Sequence, residues 1–131
     1  MDAKKETILI IEDEIIIRDT FRFCLEDYGY RVLEAENGRI GLEMIRKNHP
    51  DLVLLDLRMP EMDGLEVLKK LGSDTHDLPV IVISGAGFAG DVEEAMKCGA
   101  CNYLLKPVAD FDTMRSAVEQ ALDKGRLQSS L

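Results

Sequence analysis

The chain is 131 residues long, enough for one domain with a substantial core, and 46% hydrophobic with 31% charged residues is ordinary for a globular protein. A formal net charge of −9 argues against direct binding to nucleic acid, whose phosphates it would repel. No apolar run approaches the roughly 18 residues of a membrane span, residues 1–6 lack an apolar signal core, and the cysteines Cys24, Cys98 and Cys101 make no disulfide framework; a cytoplasmic protein with no membrane partner is expected.

Thr7-Ile8-Leu9-Ile10-Ile11 reads as a first buried strand, ending in Glu12-Asp13-Glu14. A helix over residues 15–28 is expected from Ile16, Phe21, Leu25 and Tyr28, stopped by Gly29. A second, shorter strand covers 30–35. Asn37 then caps a helix to about residue 48, whose apolar residues are Ile40, Leu42, Met44 and Ile45. Pro50 hands over to the third strand, Leu52-Val53-Leu54-Leu55, four consecutive apolar residues that suit a strand buried on both faces. That run ends abruptly in Asp56. A loop closed by Pro60 and Gly64 leads to a helix over 65–71, with Leu65, Leu68 and Leu71 at helical spacing. Pro79 opens a fourth strand, 80–83, which ends at Ser84. A glycine-rich loop, 85–90, precedes a short helix over 91–97, ended by Gly99. The fifth strand, 102–105, ends at Lys106-Pro107, and the last helix begins near Asp110 with Met114, Val118 and Leu122 as its core stripe. Residues 125–131 read as a frayed end or the start of a linker, around a core of about 6–124. Strand and helix alternate five times, which predicts an α/β fold: a doubly wound parallel sheet with helices on both faces.

Ligands of such sheets bind beyond the carboxyl ends of the strands, and there the chemistry collects. Glu12 and Asp13 end the first strand, Asp56 the third, Ser84 the fourth and Lys106 the fifth. Three carboxylates on one edge repel each other unless a cation sits among them. Oxygen-only ligation with room for water suits Mg²⁺, with Mn²⁺ as the alternative. Lys106 supplies a second positive group for a transferring phosphoryl, and Ser84 a hydroxyl donor. Carboxylate, metal, lysine and hydroxyl together describe phosphoryl transfer onto an aspartate.

With these residues in order, the chain resembles a two-component response-regulator receiver domain over roughly residues 6–124. The likeness rests on Glu12-Asp13, on Asp56 followed by Met59-Pro60 and Met62-Asp63-Gly64, on Ser84, and on Lys106-Pro107. It implies a flavodoxin-like three-layer sandwich with strand order 2-1-3-4-5. It implies that Asp56 is the phospho-acceptor, served by a phosphohistidine on a sensor histidine kinase or phosphotransfer protein, with phosphorylation and dephosphorylation self-catalysed. Asp13, Asp56 and the backbone carbonyl of Arg58 would hold Mg²⁺, with Glu12 acting through water. Ser84 and Lys106 would hold the phosphate, Gly85 and Ala86 would form the phosphate loop, and the Lys106–Pro107 bond would be cis. Tyr103 matches the switch aromatic that turns inward as Ser84 moves. The face built by the fourth helix, fifth strand and last helix would then change shape toward a downstream effector or C-terminal output domain. A homodimer through that face is left open.

The chain departs from the family pattern in having Glu12 where aspartate is common and Gly85 where alanine often follows the hydroxyl. Arg58, two residues past the acceptor, is a long cation that would screen the phosphoryl group from water. A haloacid-dehalogenase-like hydrolase, which also forms an aspartyl phosphate, would want a second aspartate at residue 58, and a phosphate-independent adaptor would not need the full set of site residues. Gly85-Ala86-Gly87-Phe88-Ala89-Gly90 matches a dinucleotide-binding pattern, yet no acid ends the next strand to hold a ribose. Cys98-Gly99-Ala100-Cys101 lies at a helix C-terminus, where the dipole works against a reactive thiolate. His49 and His76 read as loop residues.

Overall fold

The computed structural model describes residues 5–72, 77–85, 89–108 and 110–130. His76 and, of the glycine-rich loop, Ala86, Gly87 and Phe88 lie outside them.

The five expected strands form one parallel sheet: β1 (Thr7–Ile11), β2 (Arg31–Ala35), β3 (Leu52–Asp56), β4 (Val80–Ser84) and β5 (Asn102–Leu105), in the order β2-β1-β3-β4-β5. The helices α1 (Ile15–Asp27), α2 (Gly38–Asn48), α3 (Gly64–Leu71), α4 (Ala89–Lys97) and α5 (Phe111–Ser130) alternate with them. This is the doubly wound, flavodoxin-like arrangement expected.

The period of two along a strand divides the core into two layers. Leu9, Ile11, Val53, Leu55, Val80 and Val82 face α2, α3 and the Ala95 side of α4. Ile8, Ile10, Leu52, Leu54, Ile81 and Ile83 face α1 and α5, where Met114, Val118 and Leu122 are buried as their spacing requires. Apolar residues on both faces explain why β1, β3 and β4 read as unbroken apolar runs.

The caps follow the sequence closely. Asn37 Oδ1 accepts the Ile40 N–H at 2.9 Å, Gly29 leaves α1 with φ +97°, and Gly99 leaves α4 with φ +113°. One expectation changes. The stripe of α1 that packs on the sheet contains Ile17, Phe21, Cys24 and Leu25, whereas Ile16 is 78% exposed; Ile16 stands five residues before Phe21, a third of a turn off that stripe. The backbone of α5 runs on as helix to Ser130, through Gly125, as the start of a helical linker would. One glycine lowers helix propensity by about 1 kcal/mol, which does not end a helix whose preceding turns are anchored by packing.

Candidate functional site

Strand register alone brings the charged residues together. Ile11 pairs with Leu55, so Glu12 and Asp56 are level at the ends of neighbouring strands, astride the point where chain order reverses. Asp56 pairs with Ile83, and Ser84 with Leu105, which sets Ser84 one step and Lys106 two steps further along the same edge. Lys106 is tied there by its own backbone, whose N–H donates to the Ser84 carbonyl at 2.7 Å.

Asp56 and Glu12 are both buried charged groups. The Lys106 ammonium bridges them, donating to Asp56 Oδ2 at 3.1 Å and standing 2.9 Å from Glu12 Oε1. Apart from this ion pair, Glu12 Oε1 is buried without a hydrogen-bond partner. Glu12 Oε2 accepts the Glu14 N–H at 3.1 Å, and Asp56 Oδ1 accepts the Arg58 N–H at 3.2 Å. Asp13 completes the group: Glu12, Asp13 and Asp56 each bring a carboxylate oxygen within 4.8 Å of the others.

Burial pushes the Glu12 carboxyl up to about 7, with the nearby Asp56 charge adding to the rise and Lys106 only partly offsetting it. Burial acts to lower the pKa of Lys106, but the two carboxylates outweigh it and raise the ammonium above its ordinary value. A single ammonium thus faces three carboxylates. A hard divalent cation suits this pocket, because it would supply the missing positive charge and take up the unsatisfied Glu12 oxygen through a ligand water.

The loop after Asp56 is built around a close approach. A Cβ on Gly64 would lie 2.5 Å from the Asp56 carbonyl oxygen, so only glycine lets α3 start against the backbone of this residue. Asp63 caps that helix, its Oδ1 accepting the Glu66 N–H at 3.0 Å. The Asp63-Gly64-Leu65-Glu66 spacing carries a cap signal that places the start one residue earlier than the leucine periodicity does. Ser84 is buried, with its hydroxyl donating to the Gly85 carbonyl at 3.3 Å. The Lys106–Pro107 peptide is cis.

The chain matches the response regulator receiver domain over residues 8–119. It belongs to that family. The receiver is 38% identical over 130 residues to the transcriptional regulatory protein ZraR of Klebsiella oxytoca, covering 99% of this chain but only 29% of that protein. It is 36% identical over 117 residues to sporulation initiation phosphotransferase F of Bacillus subtilis, covering 89% of this chain and 94% of that one. Among solved structures it is similar to a response regulator receiver domain protein from Clostridium thermocellum, with a TM-score of 0.88, 33% identity, and coverage of 94% and 98% of the two chains. The chain therefore spans less than a third of the length of the ZraR regulator it matches. Receiver domains bind Mg²⁺ through an acidic pocket, and Glu12, Asp13 and Asp56 form one here.

The other receiver residues expected from the sequence are more dispersed. Tyr103 sits on β5 three residues before Lys106 and is 45% exposed, its ring outside the core. The Arg58 guanidinium meets Asp91 Oδ2, in the first turn of α4, at 2.7 Å through both Nε and Nη2. Nothing in the sequence pairs these two residues, which lie 33 positions apart. No helix among the described residues is long and apolar enough to cross a membrane.

Proposed function

We propose that this chain is a phosphorylation-driven signalling switch in which Asp56 takes a phosphoryl group from a phosphohistidine on a sensor kinase or phosphotransfer protein. The observation that carries the reading is the buried Asp56 held by Lys106 within a group of three carboxylates. An Asp56 oxygen attacks phosphorus, the P–N bond breaks, and the imidazole leaves with the bonding electron pair. Asp13, Asp56 and the Arg58 carbonyl would hold Mg²⁺ (or Mn²⁺) directly and Glu12 through water; when bound, the ion would supply positive charge against that developing on the phosphoryl oxygens. Lys106, already within hydrogen-bond reach of Asp56, turns toward the new oxyanion. Ser84 exchanges the Gly85 carbonyl for a phosphoryl oxygen, with Gly85 lining the phosphate loop. Hydrolysis of the aspartyl phosphate on the same residues resets the switch.

Phosphorylation adds up to two negative charges and three acceptor oxygens at Asp56. Movement of Ser84 makes room for Tyr103 to turn inward, and the α4-β5-α5 face shifts between two packings toward a downstream effector or output domain. That face is also where a homodimer would form. Ile15, Ile16 and Phe23 are exposed on α1, which starts beside the acidic turn, and offer an apolar surface for the phosphodonor. With a net charge of −9, the chain's output runs through protein contact and not direct binding to nucleic acid. A cytoplasmic location fits this role.

Titration with beryllofluoride and Mg²⁺, followed by amide chemical shifts, tests the reading. It predicts saturable shifts at the ends of β3, β4 and β5 that Asp56→Asn abolishes. No response in the unmodified protein would favour a phosphate-independent adaptor.

A further inference from the structure

Two of the three carboxylates ride on the turn between β1 and α1, within which the Glu14 N–H donates to Glu12 Oε2 at 3.1 Å. Glu14, at the N-cap position of α1, makes no side-chain capping bond, and the helix has no acidic residue in its first turn. The Glu12 N–H is held by the Ala35 carbonyl at 3.1 Å. The Glu12 carbonyl is held by a side chain: Arg18 Nη1, one turn into α1, donates to it at 2.8 Å.

Arg18 could be read as a staple between α1 and the edge strand β2, since Glu34 lies beside it. The geometry is against that. Arg18 Nε and Glu34 Oε1 stand 3.7 Å apart, and both atoms are buried without a hydrogen-bond partner. A guanidinium placed for its carboxylate would align its fork with it. Glu34 instead takes its aligned hydrogen bond from Arg22 Nη1 at 3.1 Å. The aligned bond of Arg18, whose side chain is only 13% exposed, goes to the main chain of the acidic turn.

We infer that Arg18 is a positioning residue: by holding the Glu12 carbonyl it fixes the Glu12-Asp13 backbone against Asp56, and so sets the spacing at which the three carboxylates take a divalent cation. The inference rests on the Mg²⁺-binding reading of the site. Groups that orient ligands without touching the metal change its affinity about 10- to 100-fold. Charge alone predicts the opposite sign, because removing a cation near an acidic pocket strengthens its attraction for Mg²⁺.

The test is calorimetric titration of Mg²⁺ into the full chain, for the unmodified protein, Arg18→Met, Arg18→Lys and Glu34→Gln, each checked for a cooperative melt. Arg18→Met should bind about tenfold more weakly. Arg18→Lys, which keeps a donor, should recover part of the loss. Glu34→Gln, which removes the ion pair and leaves the bond to Glu12, should stay within about twofold. Arg18→Met binding as tightly as the unmodified protein, or Glu34→Gln losing as much, would overturn the inference. If Arg18→Met does not fold, Arg18→Lys decides: weakened affinity supports the role and unchanged affinity overturns it. An unmodified chain that binds no Mg²⁺ would overturn the site reading itself, and the inference with it.

Discussion

Replacing Glu12 by glutamine removes a carboxyl whose charged form the fold disfavours. The folded-state pKa is about 7, against an ordinary 4.5, because the group is buried beside Asp56. Between those values the folded chain binds the proton and the unfolded chain has released it. Stability contributed by this group is therefore complete below pH 4.5 and is lost as pH climbs through 7. At about 1.4 kcal/mol per pKa unit, the loss is roughly 3 kcal/mol. Glutamine stays neutral throughout and escapes it. Urea denaturation followed by circular dichroism, in chelator and at steps from pH 4.5 to 8, should find the two proteins similar at the acid end. The variant's advantage should grow to roughly 3 kcal/mol above neutrality. Excess Mg²⁺ at pH 8 should stabilise the unmodified protein and narrow the gap, because a bound cation replaces the proton. A gap that is constant with pH, or that favours the unmodified chain as pH rises, would refute the electrostatic account of the pocket.

Other consequences follow from single contacts. Asp91→Asn loosens the Arg58 guanidinium and should lengthen the phosphoryl lifetime at Asp56 by about two- to fivefold, the scale of an exposed ion pair, while Arg58→Ala should shorten it; decay of radiolabelled phosphoprotein measures both. Gly64→Ala drives a methyl into the Asp56 carbonyl and should cost about 1–3 kcal/mol in urea denaturation, while also slowing phosphorylation. Tyr103, 45% exposed here, should lose accessibility to iodide quenching when beryllofluoride and Mg²⁺ are added, with Tyr103→Phe identifying its share of the tyrosine signal.

Much of this was legible because strands buried on both faces are hard to disguise. The apolar runs 8–11, 52–55 and 80–83 each stop at a polar residue, so Glu12, Asp56 and Ser84 were marked as strand-end groups by contrast alone. Parallel pairing then put them on one edge, with Lys106 beyond β5. What the sequence hid depends on direction in space. Ile15, Ile16 and Ile17 are equivalent as letters, and only the angle of α1 to the sheet makes Ile17 the packed one. Arg18 looks like one more surface cation, although its side chain turns back along the helix to the Glu12 carbonyl. The pairing of Arg58 with Asp91 joins a loop to a helix from another βα unit, a contact that no periodicity encodes. The start of α4 at Ala89, two residues before the expected Asp91, lies where loop glycines leave no cap signal.

The central claim is that the pocket makes Asp56 a phosphoryl acceptor, and intact-mass spectrometry after incubation with a small-molecule phosphodonor tests it most directly. The account predicts an adduct of one phosphoryl group that needs Mg²⁺, is lost to chelator, and is absent from Asp56→Asn. No adduct in the unmodified protein, or one that persists in Asp56→Asn, would contradict it.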